Sequence, residues 1–153
     1  MSKTLEIFID ADACPVKEET YKVAFRYDVP VSVVANAPIR IPRHPLIKRI
    51  TVNDHYDAAD DYVAEHAHVN SIVITADILL AERCLKMDAT VLGPKGTPFT
   101  KDSIGSALAS RAIMSDLRAG GDAVGGPAPF QQADRSRFLS ALDEAIVRLK
   151  RQG

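Results

Sequence analysis

Short apolar runs alternate with amphipathic stretches through the first two thirds of this chain, and that order limits the fold more than any other feature. Leu5 to Ile9 reads as a strand buried on both faces. Val31 to Ala35, Ser71 to Thr75 and Ala89 to Leu92 repeat the β-rich pattern, and Arg49 to Val52 reads as a shorter strand. Between these runs the apolar residues fall at helical spacing. Val16, Thr20, Val23, Ala24 and Tyr27 share one side of a helix with Pro15 in its first turn. Ala59, Tyr62, Val63 and Ala67 do the same for a helix opened by Asp57, and Asp77 opens a third that ends near Met87. A β-α-β-α order joins parallel strands through right-handed crossovers. The expectation is therefore an α/β protein: a three-layer α/β/α sandwich with a mostly parallel central sheet of about five strands.

Two regions break the alternation. Pro38, Pro42 and Pro45 crowd one loop, a density that suits neither helix nor sheet. After Leu92 a turn-rich loop from Gly93 to Thr100 leads to a helix expected from about Asp102 to Arg118, and a second loop carries Gly125-Gly126-Pro127. A last helix begins near Asp134, with Phe138, Leu139, Leu142, Ala145, Ile146 and Leu149 as its apolar stripe. Nothing resembling a linker divides the 153 residues. One domain spanning 1–153 is expected, with a C-terminal helical extension (102–151) packed on it.

Charge and cysteine content exclude several classes. Nineteen Lys and Arg stand against 20 Asp and Glu, a formal net charge of −1. A chain so balanced does not hold nucleic acid by bulk positive charge, so a local basic face or a bridging metal is needed for that task. Two cysteines, Cys14 and Cys84, are too few for a disulfide framework or a closed zinc site. The first ten residues do not have the form of a secretory signal, and no apolar run approaches the roughly 18 residues of a membrane span. A cytoplasmic location, with no membrane contact, is the expectation.

The segment Ile9-Asp10-Ala11-Asp12-Ala13-Cys14-Pro15 carries the most chemistry. Side chains alternate along a strand, so Asp10 and Asp12 face one side where the strand ends. Two close carboxylates repel unless a cation or a shared proton intervenes. Mg²⁺ is commonly held by one or two carboxylates, with water and substrate phosphate completing the shell. The competing reading makes Asp12 a helix cap and Asp10 a solvated strand end. Asp77 also follows a strand and would reach the same crevice, since ligands of open α/β sheets bind beyond the carboxyl strand ends. It suits equally well the N-cap of its helix. Asp57 and Asp60 divide in the same way between capping and catalysis.

These residues give the chain its likeness to a known family. Phe8-Ile9-Asp10-Ala11-Asp12-Ala13-Cys14-Pro15-Val16-Lys17, Asp57-Ala58-Ala59-Asp60, Ile74-Thr75-Ala76-Asp77-Ile78, Gly125-Gly126-Pro127 and Asp134-Arg135 resemble the YaiI/YqxD family of bacterial proteins, over nearly the whole length. The resemblance implies a fold similar to PIN domains, metal-dependent nucleases with acidic residues above a parallel sheet. By that likeness Asp10, Asp57 or Asp60, and Asp77 match the nuclease acidic positions, while Asp12 has no firm counterpart but fits the same site. Three positions depart from the family pattern. Leu79 stands where Pro is usual, Ala112 follows Arg111 where Asp often does, and Asp88 replaces a Gly in a turn whose left-handed backbone Asp tolerates.

Basic residues are the complement a phosphate would need. Arg40, Arg43, His44 and Lys48 gather in and after the proline-rich loop, and Lys95, Lys101, Arg111 and Arg118 follow later. Arg43, Lys95, Arg111 and Arg118 are the substrate-binding candidates, against a plain reading as solvated surface. Gly125-Gly126-Pro127 could let backbone amides approach an anion or be only a turn. Cys14 reads as a small buried residue, and His55, His66 and His68 lack metal-ligand spacing.

Three functions compete. In the first, Asp10, Asp12 and Asp77 hold Mg²⁺ or Mn²⁺, Asp57 or Asp60 assists, and the chain hydrolyses phosphodiesters of single-stranded RNA. In the second, Asp10 and Asp12 act as the nucleophile and acid/base of an Asp-x-Asp phosphatase, with Thr75 and Lys95 in support. Asp60-Asp61 lies too early in the chain to complete that set. In the third, a non-catalytic module binds nucleic acid or protein and the acidic site is vestigial.

Overall fold

The computed structural model describes residues 4–11, 14–52, 58–106, 108–109 and 130–152. Its elements run β1 (Glu6–Asp10), α1 (Lys17–Tyr27), β2 (Val31–Ala35), β3 (Ile47–Thr51), α2 (Ala58–His66), β4 (Ser71–Ile74), α3 (Ile78–Lys86), β5 (Thr90–Leu92), β6 (Pro98–Phe99) and the C-terminal helix, here α4 (Gln132–Gln152). Residues 101–106 are also helical.

One six-stranded sheet has the order β3-β2-β1-β4-β5-β6. Every neighbouring pair is parallel except β5 with β6. The sheet thus has one strand beyond the five expected. Pro98 and Phe99 turn back on Leu92 and Val91 inside what reads as a loop, and a two-residue strand leaves no periodicity to detect. The chain leaves β1 for β2 and β3, then returns across the sheet to place β4 on the other side of β1. That reversal makes a switch point between β1 and β4, and crevices for ligands open at the carboxyl ends of such strands.

Two apolar layers sandwich the sheet. Ile7, Ile9, Val31, Val33, Ile72 and Ile74 face Val23 and Ala24 of α1 and Phe138, Leu142 and Ile146 of α4. The opposite side chains Phe8, Val34, Val73 and Val91 face Ala59 and Val63 of α2 and Leu80, Ala81 and Cys84 of α3. Alternation along strands buried on both faces explains why β2 and β4 are apolar throughout. Phe138, Leu142 and Ile146 are fully buried, each worth roughly 1.5–3 kcal/mol of apolar transfer.

Local backbone choices set the ends of elements. Asp28 closes α1 at φ 56° and Asp88 follows α3 at φ 62°. Asp88 therefore does adopt the left-handed turn expected of it, one Asp tolerates better than most residues. Gly96, at φ +86°, lies so close to α4 that an added Cβ would come within 2.6 Å of the Arg137 carbonyl carbon. Only glycine lets the β5–β6 loop pack there. No helix among the described residues is long and apolar enough to cross a membrane.

Candidate functional site

Asp10 ends β1 and is only half-buried, one residue after fully buried Ile9. Its register partner is Val34 on one side, and the next strand over, β4, ends beside it. Thr75, 2% exposed, follows β4 and donates its hydroxyl to Oδ2 of Asp10 at 2.8 Å. The same hydroxyl oxygen accepts the Asp77 amide at 3.0 Å. One buried hydroxyl therefore joins the two acidic strand ends across the switch point.

Asp77 is the N-cap of α3. Its Oδ1 accepts from the amides of Leu79 at 2.9 Å and Leu80 at 3.3 Å. The capping reading of Asp77 thus holds, and it commits one carboxylate oxygen to the helix. The two helix amides share Oδ1, so the cap does not engage Oδ2.

Asp60 sits in the first turn of α2, half-buried, on the helix whose Ala59 and Val63 pack in the same layer as Phe8. Its charge and that of Asp10 both act on Cys84 of α3. Burial pushes the Cys84 thiol of α3 up to about 12, and the Asp10 and Asp60 carboxylates add to that rise against the opposing pull of Arg83. Asp61 instead pairs with Arg83 at 2.9 Å.

Asp12 and Asp57 lie outside the described residues, as do Arg111, Arg118 and Gly125-Gly126-Pro127. Among the described residues no group of three or more His, Cys, Asp or Glu side chains is placed to hold a metal ion. The side chains at the β1 and β4 strand ends carry hard oxygens, the type Mg²⁺ and Mn²⁺ take. Asn36 follows β2 at the same carboxyl edge of the sheet, and its side-chain Oδ1 is buried with no hydrogen-bond partner among the described residues. A buried acceptor without a donor is costly unless a ligand or ion satisfies it. Asn36 does not stand out in the sequence because a lone Asn after a strand reads as a turn residue.

The α1 side of the edge carries basic residues that sequence reasoning misses. Lys17 reaches back to the Cys14 carbonyl at 3.1 Å. Arg135 of α4 bonds the Pro15 carbonyl at 3.0 Å and the Glu19 carboxylate at 3.0 Å, and its guanidinium lies 4.8 Å from the Phe130 ring centroid. It thereby pins the start of α4 to the start of α1. Cys14 is half-buried; burial raises its pKa, the Val16 amide and Lys17 oppose this, and Asp10 and Glu19 add to it. A thiol held protonated is a poor nucleophile.

The described substrate-binding candidates lie apart. Lys95 is on the β5–β6 loop, at the same carboxyl edge as Asp10, where its charge acts on Asp134. Arg43 precedes β3 near the opposite edge: the carbonyl of the next residue, His44, accepts from the first amide of β3 at 3.0 Å. Of the histidines, His66 stacks on Tyr62, and His68 lies 2.8 Å from a Glu6 carboxylate oxygen.

These features define a doubly wound α/β protein with aspartates at the carboxyl ends of β1 and β4, on either side of the switch point of its sheet. Residues 8–148 match the family model described as "Uncharacterized BCR, YaiI/YqxD family", and the chain belongs to that family. It is 63% identical over 146 residues to a UPF0178 protein of Sphingopyxis alaskensis, covering 95% of each chain. A UPF0178 protein of Nitrobacter winogradskyi is 58% identical over 147 residues, covering 96% of this chain and 94% of that one. One from Rhodopseudomonas palustris strain BisB18 is 55% identical over 151 residues, covering 99% and 97%. No solved structure matches the chain.

Proposed function

We propose that this protein is a metal-dependent phosphodiesterase acting on RNA. The observation that carries the reading is the Asp10–Thr75–Asp77 link, which fixes two carboxylate residues at adjacent parallel strand ends. The resemblance of the aspartate positions to those of PIN nucleases supports it.

The chain's own groups define what they do. Thr75 orients Asp10 by a charge-assisted hydrogen bond, and the α3 amides orient Asp77. Asp60 adds negative charge on the α2 side. Such a cluster repels a phosphate, so substrate approach requires a cation. Asp10 and Asp77, together with Asn36 and with Asp12 two positions along the chain from Asp10, would hold Mg²⁺ or Mn²⁺, whose chemistry is to lower the pKa of a bound water and stabilise charge on phosphorus. Lys95, at the same edge, orients the phosphate.

Incubation of purified protein with single-stranded RNA and Mn²⁺ tests this. Cleavage by wild type and its loss in Asp10→Asn are expected. Equal cleavage by both identifies a contaminating nuclease and removes the proposal. The lack of a three-ligand group among the described residues favours a second reading, a binding module with a vestigial site. That reading gains if RNA is bound in EDTA and never cut.

A further inference from the structure

Three arginines meet on the outer edge of the sheet, around the loop that joins β2 to β3. Arg40, Arg43 and Arg49 line a pocket of about 640 Å³ with Pro38, Ile39 and Ile41. Among the described residues no carboxylate lines it. Arg49 Nη1 donates to the Ile39 carbonyl at 3.2 Å, fastening the loop to β3. Ile39 and Ile41 pack against the α1-side core, so the loop has a fixed floor. Pro38, Pro42 and Pro45 stiffen it further, which lowers the entropy a ligand must overcome.

A second feature adjoins this pocket. His44, next in the chain to Arg43, packs against Phe25 of α1, the rings tilted by 33° with centroids 4.2 Å apart. Phe25 is 36% exposed, and His44 is exposed too. An exposed aromatic pair beside guanidinium groups is what binds unpaired bases and their phosphates together. Inorganic phosphate or a purely anionic partner would use the arginines alone.

We infer that Arg40, Arg43 and Arg49, with the Phe25–His44 ring pair, form a binding surface for single-stranded nucleic acid. The strip runs from the ring pair, near the amino end of β3, to Pro38, two residues past Asn36 at the carboxyl edge. A strand lying along it is led toward the aspartates at the carboxyl ends of β1 and β4. In a chain of net charge −1, such a local patch is where phosphate attraction must reside. This surface deepens the nuclease reading by naming where its substrate is held; binding of the strand stands apart from that reading, and only its cleavage rests on it.

The test is fluorescence anisotropy of a labelled single-stranded RNA of about 12 nucleotides in EDTA, so that no metal-dependent cleavage intervenes. Arg40→Gln with Arg43→Gln should weaken binding about tenfold. The slope of log affinity against log salt should flatten by about 0.7 for each phosphate the variant no longer neutralises. Phe25→Ala with His44→Ala should weaken RNA binding about fivefold or more while sparing inorganic polyphosphate. All these side chains are exposed, and a thermal melt confirms that each variant is folded. Unchanged RNA binding in the arginine variant overturns the inference, and so does equal loss of RNA and polyphosphate in the ring variant. If wild type cleaves RNA but the arginine variant binds normally, this surface fails and the nuclease stands. If binding follows the expectation and cleavage is absent, the nuclease fails and the surface stands.

Discussion

The Thr75 hydroxyl donates to Asp10 at 2.8 Å and accepts the Asp77 amide at 3.0 Å, so one buried oxygen couples the ends of β1 and β4. Replacing it tests both bonds at once. Thr75→Val removes donor and acceptor together and strips both the Asp77 amide and Asp10 Oδ2 of this partner. A loss of about 1–3 kcal/mol is expected in urea unfolding. Thr75→Ser keeps the hydroxyl and should retain cleavage where Thr75→Val loses it. Equal activity in the two variants removes Thr75 from the orientation of Asp10.

Asp77 serves a helix and, in the proposal, a cation, and the two roles separate by substitution. Asp77→Ala removes the cap of α3 and should cost about 1 kcal/mol. Asp77→Asn keeps the capping oxygen and discards the charge. Its unfolding free energy should stay within about 0.5 kcal/mol of wild type, while cleavage falls as far as in Asp77→Ala. Wild-type cleavage by Asp77→Asn would make Asp77 a cap and nothing more.

Asp134 gives a pH dependence of known sign. The Gln131 amide, donating at 2.9 Å, holds its carboxyl below the usual range; burial opposes this, and the Arg137 guanidinium lowers the pKa further. The folded chain therefore favours the ionised form more than the unfolded chain does. That stability is fully present above the unfolded pKa of about 3.9 and is lost as pH falls through the lower folded value. Asp134→Asn should melt lower than wild type at neutral pH, and the gap should narrow as the solution is acidified below about pH 4. Thermal melts across that range check it; a gap that widens in acid contradicts the assignment.

Much of the fold was legible because the strands are buried on both faces. Val31 to Ala35 matched the observed β2 without change, and the expected β1, β4 and β5 differed by one residue at their ends. Helix ends shifted more: α1 begins at Lys17, because Pro15 sits in the turn that precedes it, and α4 begins at Gln132, two residues before Asp134. Strand β3 starts at Ile47 and ends at Thr51, two residues earlier at its start than expected and one at its end. Its exposed Lys48 and Arg49 hide an edge strand that carries little apolar pattern. In the site, the pairing of Asp10 with the β4 end follows from strand order, which alternation alone does not supply. The Thr75 hydroxyl bridge, the burial of the Asn36 side-chain oxygen and the Arg135–Glu19 clasp depend on contacts between distant segments. The Arg40–Arg49 pocket likewise depends on a loop folding back on β3, which proline content signals but does not direct.

The central claim is that Asp10 belongs to a cation site. Thermal melting of wild type and Asp10→Asn across a Mn²⁺ titration tests it most directly. At saturation the wild-type midpoint should rise by about 5 °C or more, and Asp10→Asn should not respond. Equal shifts in both proteins, or none in the wild type, would contradict it.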